Sequence, residues 1–202
     1  MPRLAGQIDL SKNEAILDAA IEVLAERGVS APLEEIARRA CVSKQTIYNH
    51  YGSKAELVRA VVERRVDEIT ATLAGPEAIA HPAEALAGFG RAMLVSLLRP
   101  RSAAFLRMAI QAATALPEVA QAWYEAGPRT SRRKLAEFLR LETEAGRLAI
   151  EDPMEAAEFF AGMVLGSYQT AALLGVERPL DAQLIERLVN EAAARFLKAY
   201  AP

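Results

Sequence analysis

The sequence predicts an all-α protein in two parts, a small three-helix head over residues 1–57 and a larger helical body over residues 58–202. Three observations carry this. The chain is 52% hydrophobic but only 6% aromatic, with Ala and Leu abundant, a composition that suits packed helices. Apolar residues recur at i, i+3, i+4 and i+7 in segment after segment, the stripe of a helix with one buried face. The 10 prolines and 11 glycines fall mostly at the edges of those segments, where they start and stop helices. At 202 residues the chain can bury a sizeable core.

Residues 1–10 read as a flexible arm. Ser11 with Glu14 three residues on forms a capping box, and a first helix follows with Ile16, Leu17, Ala20, Ile21 and Leu24 on one face. Gly28 closes it. Pro32 suits the first turn of a second helix, whose stripe is Leu33, Ile36, Ala37 and Ala40. The turn Cys41-Val42-Ser43 comes next. If it needs a positive φ, Cys41 stores about 1 kcal/mol of strain there. Its thiol is expected as a buried turn residue, a redox role being the alternative. Ser43 is placed to cap a short third helix that buries Ile47 and Tyr51 and ends at Gly52. Ser53 and Glu56 make another capping box and open a long helix. Its stripe is Leu57, Val61, Val62, Val66, Ile69 and Leu73, and Gly75-Pro76 stops it. No Ser/Gly linker separates head from body, so a tilt of this helix would carry the head as a rigid body.

In the body, a helix begins near Pro82 with Leu86, Phe89, Met93, Leu94 and Leu97 inward, and Arg99-Pro100 breaks it. The next spans about 102–115 with Phe105, Leu106, Ala109 and Ala113. Pro117 restarts the chain through Trp123 and Tyr124, and Gly127-Pro128 makes a kink or short break. A helix over about 132–146 carries Leu135, Phe138 and Leu139. Asp152, Pro153 and Glu155 supply an N-cap, an N1 proline and an N3 glutamate for a helix over 153–174. From 159 to 174 that helix is nearly all apolar, with Gly162, Gly166 and Ser167 the small residues in it. A helix apolar all round must be buried on all sides. It is expected inside the core or against its own copy across a two-fold axis. The last helix, over about 181–199, carries Leu184, Ile185, Leu188, Val189, Ala192 and Phe196, and His81 beside Pro82 reads as a loop or cap residue.

The segment over 33–51 is chemically distinct. Its second helix leaves Lys44, Gln45, Thr46, Tyr48, Asn49 and His50 on one polar face. A helix this short and polar contributes little stability, and it makes sense if that face meets a polar partner. Two helices around a tight turn, the second carrying amides, hydroxyls and a lysine, are the parts of a helix-turn-helix. Gln and Asn can bond two adjacent groups on a base edge, and Lys can reach guanine acceptors. Thr, Tyr and His reach phosphate oxygens, which fix register without reading sequence. The segment alone leaves open a solvated surface helix between two core helices.

The run AILDAAIEVLAERG, followed by IARRACVSKQTIYNHYGSKAELV, resembles the N-terminal domain of TetR-family transcriptional regulators almost position by position over residues 15–65. The remainder is similar to that family's all-helical C-terminal domain in layout, and FLRMAIQAATALPEVAQAWYEAGP resembles one subgroup's ligand-domain pattern. The chain departs from the family at Ala31 and Pro32, where Thr is usual, and at Cys41, where Gly is usual. With the missing Thr go a side-chain cap and a phosphate contact at the start of the second helix.

The resemblance implies a DNA-binding head and a ligand-binding, dimerising body. Lys44, Gln45 and Asn49 would face bases, Thr46 a base or the backbone, and Tyr48, His50 and Lys54 the phosphates. The last two helices of each subunit would form a four-helix dimer interface through Phe159, Met163, Gly166, Thr170, Leu173, Leu184, Leu188 and Ala192. A mostly apolar effector pocket would draw on Met93, Leu97, Phe105, Met108, Trp123, Tyr124, Phe138, Phe160, Met163 and Tyr168. Its polar anchors would come from Gln111, Thr114, Tyr124 or Gln169. The expected partners are double-stranded operator DNA, a second copy of the chain and a small effector, with no cofactor and no metal.

Composition narrows the alternatives. A net charge of −2 argues against a protein that coats nucleic acid indiscriminately, yet residues 36–65 hold seven Lys/Arg against two Glu. A basic stripe on a mildly acidic protein is the footprint of specific DNA binding. Local helix pairs such as Glu56 with Arg59 are the plainer account. One cysteine forbids an internal disulfide, in keeping with a reducing cytoplasm. The N-terminus lacks the apolar core of a secretory signal, and no apolar run is long enough for a membrane span. An enzyme finds few tools: His50, His81 and Cys41 are the only residues of their kinds, and no HExxH, P-loop or GxSxG occurs. A helical protein-interaction adaptor that no longer binds DNA stands as the alternative, and a small helical enzyme behind it.

Overall fold

The structure is a computed structural model that describes residues 10–99 and 101–202. The expected N-terminal arm lies outside the described residues apart from Leu10. In chain order the helices are α1 (Leu10–Arg27), α2 (Leu33–Arg39), α3 (Lys44–Tyr51), α4 (Lys54–Thr70), α5 (Pro76–Ala80), α6 (Pro82–Leu98), α7 (Ser102–Ala115), α8 (Pro117–Tyr124), α9 (Thr130–Glu144), α10 (Pro153–Leu165), α11 (Tyr168–Leu174) and α12 (Ala182–Ala199). The described residues hold helices and no strands, the all-α class expected. They form two compact units. One takes the described residues through Arg64 and those after Arg99 up to Ala126; the other takes Arg65–Arg99 and Gly127–Pro202.

In the first unit α1 packs on α2 and on α7, α2 on α3, and α7 on α8. The helical stripes read from the sequence are the buried ones: Ile16, Leu17, Ala20 and Leu24 on α1, Leu33, Ile36 and Ala37 on α2, and Leu57, Val61 and Val62 on α4. Ile21 is only partly buried, its place on the stripe taken by Ala19 and Val23. Two start signals sit elsewhere than expected. Ser11 lies within α1, one residue past Leu10, and not ahead of the helix as a capping box requires. Pro32 is the residue before α2, extended at φ −71° and ψ 144°, and its ring offers α2 no side-chain cap.

The second unit is built around aromatic rings. Phe89 of α6, Phe160 of α10 and Phe196 of α12 are fully buried, with ring centroids 6.2 Å and 5.2 Å apart along that chain of contacts, and Tyr200 lies 4.8 Å beyond Phe196. Gly90 lets α6 come close to its neighbours: a Cβ there would meet Val164 at 3.1 Å and Val189 at 3.3 Å. At the rim of the same contact, Arg91 grips both carboxylate oxygens of Glu186. Asp152 caps α10 as its sequence promised, accepting from the N–H groups of Met154 and Glu155 at 2.8 and 3.0 Å.

Three segments depart from expectation. The helix expected over 153–174 is broken in two, because Gly166 adopts φ 45° and ψ −132°, a conformation essentially closed to residues with a Cβ. Of its two expected settings, that stretch is not the enclosed core of this chain: Phe159 is 54% and Met163 44% exposed, and Leu174 74%. α4 ends at Thr70 and the chain tightens into a 3-10 turn over Ala71–Leu73. There the buried Thr70 hydroxyl donates to the Val66 carbonyl at 2.8 Å, the back-bond that bends helices. The break expected at Gly127-Pro128 is instead a π-helical turn, Glu125–Arg129, that carries α8 into α9. A π turn is wider than an α turn and accommodates a residue with no N–H to give.

Candidate nucleic-acid interface

The third helix is short, and each end is fixed by a specific group. At its start Ser43 is extended, and its Oγ accepts the Thr46 N–H at 3.0 Å and lies 2.8 Å from the Thr46 hydroxyl. The turn before it runs through Cys41 at φ 54°, the left-handed region that favours glycine. The Cys41 thiol is exposed, not buried as expected. A left-handed turn on the protein's rim turns the side chain out to solvent. At its end Gly52 returns an N–H to the Tyr48 carbonyl at 2.9 Å.

Ile47 is the single side chain that α3 fully buries. Tyr51 is half-buried, stands edge-on to His50 and donates its hydroxyl hydrogen to Asn13 Oδ1 of α1 at 2.6 Å. Burial pushes the Tyr51 phenol up to about 12, with the Glu14 carboxylate adding to the shift and Arg64 opposing it. Opposite this anchored side, Lys44, Gln45, Tyr48, Asn49 and His50 are exposed, and Thr46 is partly so. The expected polar face therefore exists as one surface of one helix. On it the Gln45 amide N–H donates to Asn49 Oδ1 at 2.6 Å, and the Lys44 ammonium sits 5.4 Å from the Tyr48 ring centre.

Lys54, expected on phosphates, has partners within the protein. Its ammonium donates to the carbonyls of Val29 and Ala31 at 2.6 and 2.8 Å. That satisfies two acceptors in the α1–α2 loop and leaves one N–H to give. Burial holds the Lys54 ammonium below its usual range, with Glu34 opposing.

The cations counted over 36–65 are mostly answered. Arg39 pairs with Glu22 and Glu26, and Arg101 at the start of α7 pairs with the same two carboxylates. Arg64 bonds Glu14 and Asp18, Arg59 bonds Glu56, and Lys44 bonds Glu34. The answering acids sit largely on α1 and the first turn of α2, outside the window in which the basic stripe was counted. No short-range spacing links Glu34 to Lys44, so sequence reasoning passed over it.

The arrangement can do one kind of chemistry well. A rigidly seated helix presents amides and a lysine to solvent, with hydroxyl, phenol and imidazole groups beside them. Those groups match base edges and phosphate oxygens. Residues 16–61 match the family described as bacterial regulatory proteins of the TetR type, and residues 84–202 match the C-terminal domain of AefR-like transcriptional repressors. The second match alone covers more than half of the chain.

The chain belongs to the TetR family. It is a DNA-binding transcriptional regulator of helix-turn-helix type. This TetR-family chain is 49% identical over 55 residues to the transcriptional activator FasR of Mycolicibacterium smegmatis, a match covering 27% of the chain and 25% of FasR. Against that curated relative the chain thus spans about a quarter of the length. Solved structures resemble the chain over nearly its whole length, FrrA and SmeT among them. The flavonoid-responsive regulator FrrA is 32% identical, covers 95% of this chain and 97% of its own, and superposes with a TM-score of 0.73. SmeT, repressor of a Stenotrophomonas maltophilia multidrug efflux pump, was solved with triclosan; it is 26% identical over 95% of this chain and 92% of its own, with a TM-score of 0.66.

The residues that this TetR-family chain was expected to use for an effector and for dimerisation fall into different settings. Met93, Phe138 and Phe160 are buried in the second unit, and Phe105 and Met108 in the first. Leu97, Trp123 and Tyr168 are partly buried, whereas Gln111 and Tyr124 are exposed. Tyr168 lies under the Arg178 guanidinium, 4.0 Å from ring centre to cation. Of the interface candidates, Phe159, Met163, Gly166 and Thr170 are exposed, Leu173, Leu184 and Leu188 half-buried, and Ala192 is part of the second unit's own core. An open groove of about 620 Å³ in that unit is lined by Asp67, Thr70, Leu73, Arg133, Lys134 and Glu137 among others. None of these was an expected pocket residue. No helix among the described residues is long and apolar enough to cross a membrane.

Proposed function

We propose that this protein is a ligand-responsive repressor that binds operator DNA as a two-fold dimer and is released by a small, largely apolar effector. The observation that supports it is the exposed polar face of α3; in this reading its Lys44, Gln45 and Asn49 face bases, and its Thr46, Tyr48 and His50, with Lys54 of α4, face the backbone. A helix-turn-helix reads two half-sites about 34–36 Å apart, so two copies are needed. The exposed Phe159 and Met163 on α10, with Leu184 and Leu188 of α12 half-covered, supply an apolar face for the second copy. Repression is favoured over activation because the longer match is to a repressor's C-terminal domain, while FasR, named an activator, matches over 55 residues only. FrrA's responsiveness to flavonoids and the SmeT complex with triclosan support a small aromatic effector class. The protein works in the cytoplasm and catalyses nothing.

Effector and operator compete through a coupling free energy of about 1–3 kcal/mol, and the coupling is reciprocal: DNA weakens the effector as much as the effector weakens DNA. The head reading is tested by replacing Asn49 with Ala and repeating a selection of binding sites from random duplexes. The variant relaxes preference at one base position per half-site, at a cost of about 1–3 kcal/mol in discrimination. Uniform weakening across all sequences would assign Asn49 to the backbone. Failure of the wild-type chain to prefer any sequence, at any salt, would leave a helical adaptor in place of a regulator.

A further inference from the structure

We infer that Glu34 is a specificity-determining residue, a carboxylate that holds the Lys44 ammonium until a correctly placed DNA acceptor replaces it. The inference rests on the proposal that α3 reads DNA. Glu34 stands in the first turn of α2, and Lys44 is the first residue of α3. The Lys44 Nζ donates to Glu34 Oε1, and both side chains are about half exposed, 47% for Lys44 and 55% for Glu34. The hydrogen bond from Lys44 holds the Glu34 carboxyl below the usual carboxylate range, and Lys54 acts on it through space in the same direction. The carboxylate therefore stays ionised wherever the protein binds DNA.

This pair differs from the other ion pairs of the unit. Arg39 and Arg64 tie α2 and α4 to acids of α1, on side chains that the base-facing surface does not use. The Glu34–Lys44 pair instead occupies a cation that is itself on the DNA-facing helix. An exposed pair contributes little to stability, so it exchanges readily for a better acceptor. On a matched site, base-edge acceptors take the Lys44 N–H groups and the exchange is complete. On unmatched DNA nothing replaces Glu34, Lys44 remains neutralised, and a carboxylate stays close to the phosphates. Glu34 thus weakens non-specific binding more than specific binding, raising the ratio between them by opposing the wrong partner.

The test measures dissociation constants of the full chain for its selected duplex and for a scrambled duplex of equal length, over a range of salt. Four proteins are compared: wild type, Glu34→Gln, Lys44→Met and the double variant, each checked for an unchanged thermal unfolding midpoint. Glu34→Gln is expected to tighten binding to the scrambled duplex by about three- to tenfold and to the selected duplex by less than about twofold. It also steepens the salt dependence on the scrambled duplex by about 0.9, the value of one added phosphate contact. In the Lys44→Met background the same change has little effect. Equal tightening on both duplexes, no tightening on either, or an undiminished effect without Lys44 would each overturn the inference. A wild-type chain that prefers neither duplex overturns the underlying DNA-reading proposal instead, and shows this before any variant is compared.

Discussion

Ile47 and Phe160 are both fully buried, yet they belong to cores of different kinds. Phe160 sits in a row of rings, Phe89, Phe160, Phe196 and Tyr200, where large side chains interlock across three helices. Ile47 is the one side chain that α3 fully buries, in a unit whose fully buried large side chains include the aliphatic Ile16, Leu24, Ile36 and Leu57. A helix that must keep its outer face polar and free cannot be secured by burial. It is secured by hydrogen bonds at its ends instead: the Ser43 cap, the Tyr51 hydroxyl on Asn13, and Lys54 on the loop carbonyls. The second unit has no such demand on α10 and α12 and relies on aromatic area.

If that contrast holds, the largest effect comes from the ring row. Phe160→Ala should cost about 3–5 kcal/mol in denaturant unfolding followed by circular dichroism. A cost well below that would mean Phe160 borders a cavity large enough for an effector and not a packed core. The polar ties of the first unit should each cost less. Lys54→Met removes a charged donor from two carbonyls and is expected to cost about 1–3 kcal/mol. Unlike Phe160→Ala it also weakens binding to every DNA sequence alike, read by comparing selected and scrambled duplexes.

Tyr51→Phe should cost about 1 kcal/mol by deleting one hydrogen bond to Asn13. It carries a pH signature as well. The folded phenol titrates near 12 against an ordinary value of 10.0, so the unfolded chain loses its proton first. Stability is then complete below pH 10 and falls as pH rises toward 12. The Phe variant lacks this loss, and midpoints measured across that window separate the two. The smallest effect has the opposite sign. Cys41→Gly relieves a positive φ at a cost in unfolded-state entropy, for a net gain of at most about 0.5 kcal/mol.

The parts of the molecule legible in the sequence were those governed by local rules. The helix stripes follow from 3.6-residue spacing, and the Ser43 and Asp152 caps from side chains two or three residues away from the N–H groups they satisfy. Even the positive φ at Cys41 was foreseeable as a condition of the turn. What escaped involved partners distant in sequence or a choice among backbone states. Glu34 lies ten residues from Lys44, and the acids answering Arg39 and Arg64 lie on α1. The polar face of α3 was visible, but the fact that its lysine is already engaged was not. Gly166 reads in sequence as one small residue within an apolar helix; its unusual φ and ψ, and so the break between α10 and α11, are not fixed by that pattern. The same holds for Pro128, which sits inside a π-helical turn and not at a break.

Everything proposed for this protein's function depends on α3, carried twice by a symmetric pair, reading DNA through its outward polar face. Selection of bound duplexes from a random pool by the full chain tests it most directly. The expected product is an inverted repeat whose half-sites are centred about 10–10.5 base pairs apart, or a whole multiple of that, matching one turn of the double helix. A pool that emerges without enrichment, or enriched in single sites lacking two-fold symmetry, would contradict it.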